Sequence, residues 1–128
     1  MRQLPSVVTV GILFTLGCAP ERPPSARLPH PPSPTPGVLL AGDSLFAVHC
    51  QRCHGKNALG SDSGPPLLHP IYAPAHHADV AFLLAVRSGV RAHHWTFGDM
   101  PAIPALNESQ TIDITGYLRW LQMEAGIP

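Results

Sequence analysis

The chain has 128 residues, and charged residues make up only 12% of it, with 8 Lys or Arg against 8 Asp or Glu and a formal net charge of +0. Its single lysine is Lys56 and it carries no basic patch, which argues against a nucleic-acid partner. The first 37 residues or so lack a globular pattern, leaving about 90 for one domain, and a domain of that size buries only roughly 60–65% of its unfolded surface.

The N-terminus reads as a targeting segment over residues 1–17. Arg2 supplies a positive start, and Val7 to Leu16 forms a short apolar run. A membrane-spanning helix needs about 20 apolar residues, more than this run provides. It ends in Leu16-Gly17-Cys18, which resembles a bacterial lipobox, with Thr15 where Leu is usual. The resemblance implies cleavage after Gly17 and a lipid anchor on Cys18. The alternative is an ordinary signal peptide cut nearby, which would leave an unpaired exported thiol.

Residues 18–37 read as a linker. Eight of the 17 residues from Pro20 to Pro36 are proline, a composition that favours extended polyproline II and resists packing. Fully extended at about 3.1 Å per residue, the segment would reach roughly 50 Å. It is either a spacer that lifts the following domain off a membrane or a low-complexity tail of no particular length.

The domain at 38–128 opens with a helix from about Ala41. Gly42, Phe46 and Cys50 fall on one face, and Leu45 and Val48 widen the apolar stripe. The helix runs into Cys50-Gln51-Arg52-Cys53-His54, the C-x-x-C-H spacing of c-type haem attachment. Two thiols about one helical turn apart can each join one vinyl group of a single porphyrin, and His54 is then carried to the iron. A lone C-x-x-C also suits a redox dithiol or half a zinc site. Zinc needs a second ligand pair, however, and the one remaining Cys is Cys18. No βαβ alternation supports a thioredoxin-type motif. A haem would add a large apolar plate to a thin core.

A second helix follows Asp79 as N-cap, carries Val80, Phe82, Leu83, Leu84 and Val86, and ends at Gly89. The last helix starts at Asn107 with Gln110 placed for a capping box. Ile114, Tyr117, Leu118 and Leu121 then repeat at helical spacing. No segment alternates with period two, so no sheet is expected.

Met100 lies 46 residues after His54, in a Gly/Pro-bounded loop that can fold over the second haem face. Its thioether is a soft neutral ligand that favours ferrous iron. Met1 is lost with the signal, and Met123 falls in the last helix, where core filling is expected. The alternative for Met100 is a core methionine in an irregular loop.

Eight histidines are present. His76-His77 opens the second helix and His93-His94 precedes Trp95, while His30, His49 and His69 are scattered. The two pairs allow a second metal site, for a metal such as copper, or a histidine that displaces Met100 in one state. Adjacent histidines often point apart, and no acidic cluster supports these. Surface or haem-propionate-facing histidines are therefore the favoured reading.

From Gly42 to Gln122 the chain resembles a class I cytochrome c. Gly42, Phe46, Cys50, Cys53, His54 and Gly55 match its G-x-x-x-F-x-x-x-C-x-x-C-H-G run. Gly64-Pro65-Pro66-Leu67 matches its G-P-x-L loop, Met100-Pro101 its Met-Pro, and Tyr117-Leu118-Arg119-Trp120-Leu121 its Y-L-x-x-L helix. The resemblance implies an all-α fold of three to four helices wrapped around one covalent haem c, with Cys50 and Cys53 attaching it. His54 and Met100 would ligate the iron, and the Pro65 carbonyl would accept a hydrogen bond from the outer nitrogen of His54. Gly42 and Phe46 would cross Tyr117 closely. Trp95 would reach a haem propionate with its indole N–H or simply pack over the haem edge.

An iron with both axial positions filled has no open site for dioxygen or peroxide. The expectation is a membrane-tethered, single-haem, one-electron carrier and not an enzyme. The alternative is a cytochrome that also binds or senses a second metal such as copper through its His pairs. An enzyme would need Met100 to leave the iron. Export suits a c-type haem, whose attachment the resemblance puts on the outer side of a bacterial cytoplasmic membrane. The partners are then redox proteins and, through Cys18, a membrane. From Cys18 onward the chain has 7 Lys or Arg and 8 Asp or Glu, net −1, too little to steer docking by sign. Contact through an apolar patch around the haem edge is expected instead.

Overall fold

The computed structural model describes residues 34–128. The signal segment, Cys18, His30 and the linker up to Ser33 lie outside the described residues. Four α-helices follow in order: α1 over Leu40–His49, α2 over Gln51–His54, α3 over Asp79–Ser88 and α4 over Glu108–Glu124. Short 3₁₀ turns stand at Gly37–Leu39, Lys56–Ala58 and Pro70–Tyr72. Among the described residues there is no strand, only isolated bridges pairing Ser61 with Gly64 and Val90 with Met100. The described residues are all-α, as their periodicity predicts.

α1 and α2 are nearly one helix. Cys50 is at once the C-cap of α1 and the N-cap of α2, and its φ of −119° makes a bend. The hydrogen bonds run on through it: Cys50 N–H donates to Phe46 O and His54 N–H to Cys50 O, both at 2.9 Å. α4 begins with the predicted capping box. Gln110 N–H donates to the Asn107 side chain at 2.9 Å, and Asn107 N–H donates to that of Gln110 at 3.0 Å. α3 departs from the prediction at its start: Ala78 is the N-cap and no side chain caps it, so Asp79 is the first helical residue. His76 and His77 consequently lie in the turn before α3, not in it.

α1 crosses α4 at bare backbone. A Cβ on Gly42 would lie 2.1 Å from the Asp113 carbonyl oxygen and 2.9 Å from Tyr117 Cβ. Only glycine allows this approach. It brings Phe46 against Tyr117, ring centroids 5.8 Å apart. Phe46, Leu68, Leu118 and Leu121 are fully buried in the same hydrophobic core, each contributing about 2 kcal/mol of burial. Buried Gln122 is satisfied on every side: its amide donates to Leu67 O at 3.0 Å and Tyr72 O at 3.2 Å, and its oxygen accepts from Arg119 at 2.7 Å.

Two apolar side chains are not where the sequence pattern puts them. Val48 is 74% exposed and Met123 66% exposed. Each lies two residues from a buried neighbour, Phe46 and Leu121. Two residues are about 200° around a helix, so each faces away from the core. Met123 fills no core.

Candidate functional site

The bend at Cys50 sets the functional motif against the loop at 61–66. Ser61 Oγ donates to Cys53 O at 2.6 Å. Gly64 lies so close that a Cβ there would be 2.8 Å from the same oxygen. This docking brings the Pro65 carbonyl to His54, whose Nδ1 donates to it at 2.9 Å. Nδ1 thus holds the proton, and Nε2 is the nitrogen with a free lone pair. His54 is 9% exposed. Burial lowers its pKa, partly opposed by the Pro65 hydrogen bond, so the ring is held neutral. That is the form a metal binds.

His54, Cys50, Phe46 and Pro65 line a cavity of about 520 Å³ that is walled also by α3, by α4 and by the loop at 90–100. Met100 and Trp95 line the same cavity. α4 contributes Thr111, Ile114, Thr115 and Leu118. The hydroxyls of Thr111 and Thr115 are spent on Asn107 O at 2.9 Å and Thr111 O at 2.8 Å, so both present methyl groups as effective surface. The volume falls in the range of small-molecule and cofactor pockets, and the lining is largely apolar.

Cys50 and Cys53 are unbridged. Burial, with a smaller contribution from Cys53, pushes the Cys50 thiol up to about 11, so it is protonated near neutrality. Cys53 is half-buried and does not line the cavity.

The loop carrying Met100 is closed by its own backbone. Val90 and Met100 exchange two hydrogen bonds of 2.9 Å, and Asp99 accepts from Ala92 N–H at 2.8 Å. Trp95 donates its indole N–H to the Tyr72 hydroxyl at 2.9 Å. In this structure that proton goes to a side chain that the sequence reading did not single out. Burial raises the Tyr72 pKa, partly opposed by the Trp95 bond, and keeps it a phenol.

Arg119 is the second residue the sequence reading missed. Nη1 donates to Tyr72 O at 2.7 Å, Nη2 to His77 O at 2.5 Å and Nε to Asp79 at 2.8 Å, while the guanidinium lies 4.9 Å from the Phe82 ring centroid. One side chain of α4 thereby holds the whole segment from Tyr72 to Asp79. Its only signal in the sequence was a charge placed among the apolar residues of the last helix.

The histidine pairs do not point apart. Ring centroids are 4.9 Å apart for His76 and His77, 5.4 Å for His77 and His94, and 4.1 Å for His93 and His94. His77, His93 and His94 also line the cavity. His49 and His69 lie elsewhere, His69 edge-on to Trp95 at 5.1 Å.

A helical shell around an apolar cavity, with a neutral histidine and the Cys50 thiol on its wall and the Cys53 thiol one helical turn away, defines a small domain organised around a covalently held prosthetic group. These residues have the donor chemistry and the space for a haem: two thiols at attachment spacing, one free imidazole nitrogen and an apolar enclosure. Residues 39–122 match the family model for cytochrome c, and the chain belongs to that family. It is a class I c-type cytochrome, a haem-binding electron-transfer domain whose cofactor is covalent haem c. Neither a curated protein nor a solved structure matches the chain.

Proposed function

We propose that the protein is a membrane-tethered one-electron carrier whose haem iron is held by His54 and Met100. The haem supplies a one-electron ferric/ferrous couple. His54 is fixed by Pro65 and has one lone pair to give. Met100 lines the same cavity and sits on a loop closed by Val90 and Trp95, which is the observation that carries this reading. With His54 and Met100 as its ligands, the iron would have no open position, and the apolar lining would keep water and dioxygen away, which would favour transfer over turnover. Cys50 and Cys53 hold the porphyrin edge. Redox proteins would donate and accept the electron that the haem carries. Among the described residues no helix is long and apolar enough to cross a membrane. The tether is instead lipid on Cys18, after export to the periplasm or the outer face of a membrane, with the Pro-rich residues 18–37 as spacer. This would make residues 38–128 the functional domain.

The experiment is optical. The ferric protein near neutral pH should show the weak near-red charge-transfer band of sulfur–iron ligation. Met100→Ala should abolish that band and lower the reduction potential, because the soft ligand that favours ferrous iron is gone. Changing His93 and His94 together should leave both nearly unchanged. A wild type without the band, which gains it in the double-His variant, would assign the distal position to a histidine.

A further inference from the structure

We propose that His76, His77 and His94 form a second metal site, for a divalent ion of the zinc or copper kind, at the mouth of the haem cavity. One ring nitrogen from each of the three lies within 4.8 Å of the other two. Ligands around a tetrahedral ion at 2.0–2.1 Å are about 3.3 Å apart, so a small rotation of each ring about its side-chain bonds closes the set. His76 and His94 are exposed and His77 is half-buried, so the ion enters from solvent.

The site is built from both sides. His77 Nδ1 donates to Ile71 O at 2.6 Å, which fixes its tautomer and leaves Nε2 as the ligand atom. A metal-binding histidine characteristically has its second nitrogen held in this way. His93 is held likewise, Nδ1 donating to Arg91 O at 2.8 Å, and its ring stands against that of His94, centroids 4.1 Å apart. The two backbone segments are themselves clamped. Arg119 binds the carbonyls of Tyr72 and His77 on one side. The Val90–Met100 bridge and Asp99 close the loop bearing His93 and His94 on the other. The ligands therefore need little ordering when the ion arrives.

The ligand chemistry chooses the ion. An all-imidazole set without carboxylate suits zinc and copper and is poor for calcium or magnesium, which take oxygen ligands.

The test uses the full-length, haem-loaded chain, whose haem spectrum reports the fold independently of the added ion. Titration with Zn²⁺, followed by calorimetry, should give one ion per chain with Kd on the order of micromolar or tighter. His76→Gln with His94→Gln should weaken binding by roughly 100-fold, and each single change by roughly 10-fold, with the haem spectrum intact. His49→Gln should bind as wild type does. Cu²⁺ at one equivalent should show coupling to imidazole nitrogens by electron paramagnetic resonance, lost in the double variant. No saturable Zn²⁺ binding below about 1 mM would overturn the proposal, as would equal affinity in wild type and double variant. The single variants keep the question answerable if the double variant loses its haem spectrum.

Discussion

Trp95 donates its indole N–H to the Tyr72 hydroxyl at 2.9 Å, across 23 residues of sequence. The bond joins the loop that carries Met100 to the turn that Arg119 holds against α4. Removing the hydroxyl leaves the indole donor without its partner, at a cost of about 1 kcal/mol. Tyr72→Phe should therefore lower stability by that amount in denaturant unfolding of the haem-loaded protein. The near-red band should disappear at lower denaturant than global unfolding, because the loop loosens before the helices do. Coincident loss of both signals in wild type and variant would show that this bond does not hold the loop.

The crossing of α1 and α4 gives a larger effect. A methyl group at Gly42 meets backbone, the Asp113 carbonyl at 2.1 Å, and no flexible side chain can move aside. Gly42→Ala should cost at least ~3 kcal/mol, at the upper end of overpacking, and should reduce the yield of haem-loaded protein. Normal yield with an unchanged unfolding midpoint would mean that the two helices separate without penalty.

What could be read from the sequence depended on distance along the chain. The C-x-x-C-H run, the Asn107–Gln110 capping box and the Gly42–Phe46 face are local patterns, each set within one or two helical turns. Arg119 was not legible, because the partners that give it its role lie 40 to 47 residues away, and two of those three are backbone carbonyls, which leave no mark in a sequence. The grouping of the histidines was not legible for a related reason. His77 and His94 stand on either side of α3, a ten-residue helix about 15 Å long. They meet only because the chain turns back after Gly89 and closes at Val90 and Met100. Tyr72 is hidden similarly: nothing around it in sequence points to Trp95.

The proposed membrane attachment rests on Cys18, which lies outside the described residues. If Cys18 is lipidated, Cys18→Ala should move the protein from the membrane fraction to the soluble exported fraction. The haem spectrum should be unchanged, since the domain's cavity is built wholly from residues after Phe46 and including it. A variant that still sediments fully with membranes would remove lipid as the tether.

The alkaline limit of the fold is set in part by Tyr117. This residue is 3% exposed, and burial, reinforced by the charge of Asp43 and a hydrogen bond to it, pushes its phenol from an ordinary 10 up to about 12. Below pH 10 the phenol is protonated in both folded and unfolded chains, and its contribution does not vary with pH. Between about pH 10 and about pH 12 the unfolded chain releases the proton while the folded chain keeps it. The unfolded state then binds fewer protons, so stability falls as pH rises, by up to roughly 2 kcal/mol. Tyr117→Phe has no proton to lose. Unfolding midpoints measured from about pH 9 to about pH 12 should fall less steeply in this variant than in wild type, and the difference should vanish below the ordinary phenol pKa. Parallel slopes across that range would show that the Tyr117 proton is not linked to folding.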